Sequence, residues 1–206
     1  MKILVLGATG RVGYRVVKLA LKDGHKVTAF VRETSRLNIS HPNLSVFIGN
    51  ALKKGDILSA VKGQDAVISA LSTDRGETLS KSAPLIIEAM KKEGLKRIIT
   101  IGTAGILNSR ENPDIYRYQS SESKRSLTRA SEEHKKAFEY LYNSNLNWTV
   151  ICPTYMPDGN AEGRFRIEAN FLPKGGEKIT AGDTAEFAYS QLFDDSHIKQ
   201  RIGIAY

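Results

Sequence analysis

Apolar residues recur along this chain in two alternating rhythms. Runs of five or six residues rich in β-branched side chains read as buried strands: 2–6 (KILVL), 26–31 (KVTAFV), 44–48 (LSVFI), 65–70 (DAVISA), 96–101 (KRIITI) and 147–151 (NWTVI). Between them, apolar positions return every three or four residues over 11–22, 53–62, 79–93 and about 121–143, the spacing of helices with one buried face. Asp23-Gly24, Gly63 and Gly94 stand where three of these helices should stop. Such alternation predicts an α/β fold with a parallel sheet covered by helices on both sides, and right-handed crossovers lead to the doubly wound strand order 3-2-1-4-5-6.

After Ile151 the rhythm breaks down. The stretch CPTYMPDGNAEGRFRIEANFLPKGGEKIT is rich in Gly and Pro, with room for irregular extensions and a small hairpin. Ligands of open α/β sheets sit beyond the carboxyl ends of the strands, so segment 152–181 is expected to form a loop-rich wall on the substrate side. Asp183 or Thr184 is expected to cap a last helix running to about Phe193, and RIGIAY to form a last edge strand.

Composition narrows the class. At 206 residues the chain fits one domain, 1–206, with a substantial core. Hydrophobic residues make up 41%, and none of the apolar runs approaches the roughly 20 residues of a membrane span. Lys2 precedes only four apolar residues before a glycine, too few for a secretion signal, and a cytoplasmic location is expected. The lone Cys152 excludes an internal disulfide and suits the end of a buried strand; the four histidines lack ligand spacing, so no metal is expected. The net charge of +8 suits an anionic cofactor better than nucleic acid, because the basic residues are scattered. The local enrichment of Lys124, Arg125, Arg129, Lys135 and Lys136 is interleaved with glutamates and reads as a solvated helix face.

The candidate chemistry begins at GATGRVG (7–13). A strand running into a helix through three glycines offers free N–H groups and the positive end of the helix dipole to a phosphate. Gly7 would permit the tight turn, Gly10 the approach of the ligand and Gly13 the contact of helix with sheet, with Thr9, Arg11 and Val12 completing the loop. The spacing is G-x-x-G-x-x-G. Together with VTAFVRETSRL (27–37), GQDAVISALS (63–72), RIITIGTAG (97–105), LNWTVICPTYM (146–156) and ITAGDTAEF (179–187), it resembles the short-chain dehydrogenase/reductase superfamily. The likeness is to its atypical NAD(P)H-binding members, similar to NmrA and to biliverdin reductase B/flavin reductase. It spans nearly the whole chain and implies a Rossmann-like fold.

The end of the second strand bears on which dinucleotide binds. An acid there suits the ribose of NAD(H), whereas arginine suits the 2′-phosphate of NADP(H). The strand ends in Arg32, with Ser35 and Arg36 close behind and Arg11 within possible reach, which favours NADP(H) over NAD(H). Glu33, one residue on, keeps NAD(H) open.

Other contacts are implied by the resemblance. Asn50 stands where similar proteins carry an aspartate reaching adenine; its carbonyl could accept from the adenine amine, with Ala51 offering backbone contacts. Leu71 and Ser72 would line the ribose and the middle of the cofactor. Thr103 matches a serine beside the nicotinamide, or is only a turn hydroxyl. Pro153 and Tyr155 would meet or wall the nicotinamide end. His134 falls where similar proteins place a histidine or lysine facing the nicotinamide ribose and could donate a proton near neutrality; alternatively it is a surface residue among Glu132, Glu133, Lys135 and Lys136.

Classical members reduce ketones with a tyrosine followed four residues later by lysine. YRVVK (14–18) has that spacing but lies in the first helix, and Tyr116, Tyr118, Tyr140 and Tyr142 have no lysine at the fourth place. The resemblance therefore implies a small NADPH-dependent reductase acting on a planar flavin, quinone or bilin-like acceptor, as a monomer or weak dimer. The competing reading is an NmrA-like sensor that binds NADP(H) without turnover. An epimerase is disfavoured by the same missing pair and the short C-terminal part.

Overall fold

The computed structural model describes residues 1–35, 37–123 and 127–206. The chain runs through β1 (Lys2–Leu6), α1 (Arg11–Lys22), β2 (Lys26–Val31), β3 (Leu44–Ile48), α2 (Lys54–Val61), β4 (Ala66–Ser69) and α3 (Thr78–Lys92). It continues through β5 (Arg97–Ile101), α4 (Arg129–Tyr142), β6 (Asn147–Pro153), β7 (Arg166–Ala169), α5 (Ala181–Ser190) and β8 (Gln200–Ala205). The strands form one sheet in the order β3-β2-β1-β4-β5-β6-β8-β7. The first six follow the doubly wound order expected, all parallel, with Val5 opposite Ala29 on one side and Ile68 on the other.

Strand side chains alternate between two cores, as the pleat requires. Ile3, Val5, Ile68 and Ile99 face α1 and α5, meeting Val16, Val17, Ala185 and Ala188. Leu4, Leu6, Val67 and Ile98 face α2, α3 and α4, meeting Ile57, Ile86, Met90 and Phe138. Each fully buried side chain of this size contributes about 1.5–3 kcal/mol over its exposed state. Cys152 belongs to the second core, and burial pushes its thiol up to about 12. Among the described residues, no helix is long and apolar enough to cross a membrane.

Four expectations are corrected. The C-terminal RIGIAY is not an edge: β8 lies parallel beside β6, with Ile151 opposite Ile202, and β7 takes the edge antiparallel to it. Ile202, Ile204 and Ala205 are almost wholly buried, which calls for neighbours on both sides. Segment 152–181 forms no hairpin among the described residues; β7 pairs with β8, while Tyr155 and Lys178 form an isolated parallel bridge.

The helix expected over 121–143 begins at Arg129. At its expected start Ser120, Ser121 and Glu122 have other partners: Ser120 Oγ donates to Glu122, Ser121 Oγ to Glu111, and Glu122 accepts from the Arg110 N–H. Such local polar bonds compete with the helix. Lys124 and Arg125 lie outside the described residues.

The last helix is capped by neither Asp183 nor Thr184 but by Thr180, whose hydroxyl accepts from the Asp183 N–H at 3.1 Å, and it ends at Ser190. Asp183 occupies the third helical position. Its carboxylate is buried and takes bonds from the Glu162 and Gly163 N–H groups, the Thr180 hydroxyl and the Tyr206 phenol.

Candidate functional site

The glycine loop is built from backbone contacts. Gly7 has φ +74°, and a side chain there would come within 2.5 Å of the Ala70 carbonyl at the end of β4. Gly13, in the first turn of α1, rests on the loop so closely that a Cβ would lie 2.2 Å from the Gly7 carbonyl. At Gly10 the situation differs. A Cβ would meet only the Gly7 carbonyl at 3.2 Å and the Ala70 carbonyl at 3.9 Å. Gly10 precedes α1 in extended geometry with no side-chain cap, so the first-turn N–H groups are left for a ligand.

A groove runs from this loop across the carboxyl ends of the parallel strands. Its first half, about 360 Å³, lies over β1, β2 and β4 and is bordered by Thr9, Arg32, Asn50, Ala51 and Leu71. Its second half, about 790 Å³, lies over β4, β5 and β6 and is bordered by Arg11, Val12, Thr103, His134, Pro153 and Tyr155. Gly10, Leu71 and Ser72 border both. The fold thus gathers nearly all the candidate residues along one path. Ser35 is exposed and borders neither half, and Arg36 lies outside the described residues.

Several side chains have partners the sequence reading did not anticipate. Arg11 does not join Arg32: it borders the second half, where its Nη1 donates to the Met156 carbonyl at 2.6 Å. Arg15, one turn further, pairs with Asp158 at 2.9 Å, so α1 holds the chain beyond β6 at two points. Arg32 borders the first half and pairs with Asp74 at 3.0 Å, while Ser72 Oγ donates to the same carboxylate at 2.7 Å. The Asn50 carboxamide oxygen already accepts from the Leu52 N–H at 2.9 Å, a local turn bond that occupies one of the lone pairs expected for adenine.

Thr103 is a turn hydroxyl that also lies at the groove. Its hydroxyl accepts from the Gly105 N–H at 3.4 Å, capping the short 3-10 turn at Ala104–Ile106, and it also borders the groove. His134 is not a surface residue. It is half-buried on α4 and borders both the second half of the groove and a small cavity of about 40 Å³ among α3, α4 and β5. Burial lowers its pKa to about 4, so the imidazole is neutral at neutral pH; donation by an unperturbed imidazolium does not apply. Glu133 beside it is also buried, accepting from Ser80 Oγ at 3.0 Å. Tyr155 is 62% exposed at the rim.

Sequence reasoning missed Asp74, Met156 and Thr154. Only Asp74 left a trace, as an acid shortly after the fourth strand; the other two act or border the site through positions set by the fold.

Residues 7–195 match the profile of a family described as NAD(P)H-binding. An uncharacterised protein of Bacillus subtilis, YwnB, is 25% identical over 99% of this chain and 98% of its own length. The structure of a candidate NADH-flavin reductase from Streptococcus pneumoniae superposes with a TM-score of 0.80 at 26% identity, covering 100% of this chain and 99% of that one. Isoflavone reductase of Pisum sativum is longer: the match is 29% identical over 82% of this chain and 63% of the reductase.

Proposed function

The chain belongs to the NAD(P)H-binding family, and on that premise we propose that residues 1–206 act as one NADPH-dependent reductase whose acceptor is a planar flavin, quinone or bilin-like ring. When bound, the dihydronicotinamide supplies a hydride to the acceptor, and the accompanying proton comes from water. The chain's own part is placement. The α1 N-terminus and Gly10 receive the pyrophosphate, Arg32 meets the 2′-phosphate, Leu71 and Ser72 line the middle, and Thr103 and Pro153 border the nicotinamide end.

The observation that carries this reading is the state of His134. It is the titratable side chain that α4 brings to the second half of the groove, and at about 4 its pKa leaves it unprotonated at neutrality. Reduction of a ketone needs a proton donor held at the oxygen; reduction of a conjugated planar ring does not. The likeness to a flavin-reductase structure supports the same choice.

The test is oxidation of NADPH and NADH by the purified protein, followed in stopped flow against a panel of flavins, quinones and bilins. Oxidation by at least one of these, faster with NADPH, is expected. Tight binding of NADPH with no oxidation by any acceptor would overturn the reductase reading in favour of an NmrA-like sensor.

A further inference from the structure

Beyond Thr103, Pro153, Thr154 and Tyr155, which border both spaces, the groove opens into a side pocket of about 320 Å³. Its far part is formed by the 3-10 turn at Gly105, by Arg117 and Ser123, and by Ser131 in the first turn of α4. We propose that this pocket binds the anionic end group, a phosphate or carboxylate, of a planar acceptor whose ring lies at the Tyr155 rim. The inference rests on the reductase reading and narrows its substrate class.

Three observations converge. Arg117 brings a guanidinium, held by donation from its Nη2 to the Glu122 carbonyl at 2.9 Å. A guanidinium suits either oxyanion through paired N–H donors. Ser131 is only 6% exposed and borders the pocket, yet among the described residues its hydroxyl has no hydrogen-bond partner. Its oxygen is not among the fully buried atoms that lack a partner, so it is reached from the pocket and can donate to a ligand there. Gly105 leaves the room for it: a Cβ there would lie 2.3 Å from Ser131 Oγ.

The third observation is the start of α4. Thr128 does not cap the helix; its hydroxyl donates to Glu132 at 2.7 Å. No side chain caps the first-turn N–H groups beside Ser131, while Glu132 in the same turn sets a carboxylate against their positive end. Among the described residues lining the pocket the one carboxylate is Glu177, which is exposed and whose carbonyl accepts from Thr154 Oγ1 at 3.3 Å, while the Glu122 carboxylate behind Arg117 is held below its ordinary value partly by that guanidinium. The charge of Glu177 opposes an anion and serves as a control.

FMN and riboflavin share a ring and differ by a terminal phosphate, so they test the pocket directly; a carboxylated naphthoquinone and its uncharged parent test the other oxyanion. With NADP⁺ present, quenching of flavin fluorescence should give FMN an affinity about tenfold above riboflavin, the factor expected of a charge-assisted bond. Competition with FMN should rank the quinone pair in the same order. Arg117→Gln and Ser131→Ala should bring FMN down toward riboflavin and leave riboflavin unchanged, while Glu177→Gln should leave or improve FMN binding. Riboflavin binding also reports whether each variant is folded; if Arg117→Gln is not, Ser131→Ala and the wild-type pairs decide.

Equal binding within each pair overturns the anion pocket even if NADPH is oxidised, and so leaves the reductase reading standing. Preference for the charged member without any oxidation does the reverse. If only one of phosphate and carboxylate is preferred, that group is the one the pocket takes.

Discussion

The guanidinium of Arg32 lies 3.0 Å from the carboxylate of Asp74, joining the end of β2 to the turn after β4 across the first half of the groove. A phosphate bound by Arg32 must compete with that carboxylate. Replacing Asp74 with Asn should therefore tighten NADPH by a few-fold, and Arg32→Ala should weaken NADPH about tenfold while changing NADH by less than about twofold. Calorimetric titration of both coenzymes checks this. Equal losses for NADPH and NADH in Arg32→Ala would remove the phosphate from Arg32.

Arg11 gives the contrasting case. It reaches the Met156 carbonyl in the second half of the groove, away from Arg32. Arg11→Ala should weaken NADPH and NADH by the same factor, and should increase proteolytic cleavage near Met156 by freeing that stretch. A loss confined to NADPH would return Arg11 to the 2′-phosphate.

His134 links activity and stability to pH in opposite ways. At neutral pH it is already neutral, so His134→Ala should keep flavin reduction within about threefold of wild type, far short of the hundredfold or greater loss of a general acid. In stability the group matters below neutrality. Its folded pKa of about 4 lies below the ordinary 6.5, so the fold prefers the uncharged ring; that contribution is complete above 6.5 and is lost as pH falls toward about 4. Wild type should lose more stability over that window than His134→Gln. Urea midpoints measured across it would show parallel curves if the ring were solvated.

Gly13→Ala should be among the most damaging single methyl additions. Its Cβ would sit 2.2 Å from the Gly7 carbonyl, a backbone atom that cannot swing aside. An overpacking loss of about 1–3 kcal/mol is expected, with coenzyme binding lost alongside it. Thermal melts with and without NADPH read both effects, and a variant that kept the coenzyme-induced shift would contradict the geometry.

The Asp183 carboxylate should prove the strongest single tie in the 154–163 wall. Burial alone would raise its pKa, but bonds from Tyr206, Glu162, Gly163 and Thr180 hold it below the ordinary carboxylate value. Its stabilisation is therefore present above that ordinary value and lost as pH falls through the depressed one. Asp183→Asn should cost about 2–4 kcal/mol at neutral pH, read from denaturant unfolding, because an amide cannot accept all these bonds. A loss below about 0.5 kcal/mol would show that the four donors find other acceptors.

The first six strands were legible as β-branched runs, although the run at β3 is a half-exposed edge rather than a buried strand, and β1 to β3 begin and end where the pattern placed them. The positions of β7 and β8 were not, since what makes Ile202 and Ile204 internal is the neighbour that packs beside them. At α4 the apolar period was right and the start wrong, because Ser120, Ser121 and Glu122 bond sideways into the loop rather than along a helix. Which residues would line the groove was largely readable while their direction was not: nothing in GATGRVG tells Arg11 to turn toward Met156.

In the glycine loop, Gly13 rests on the Gly7 carbonyl and Gly7 on that of Ala70, so three stretches of main chain touch with no side chain between them. Such a joint has no rotamers to adjust and is set at folding, before any coenzyme arrives. The opposite bank is held differently, where Arg11, Arg15 and Asp183 tether residues 156–163 through side chains. The groove is thus held on its glycine-loop side by main chain against main chain and on the opposite side by side-chain bonds.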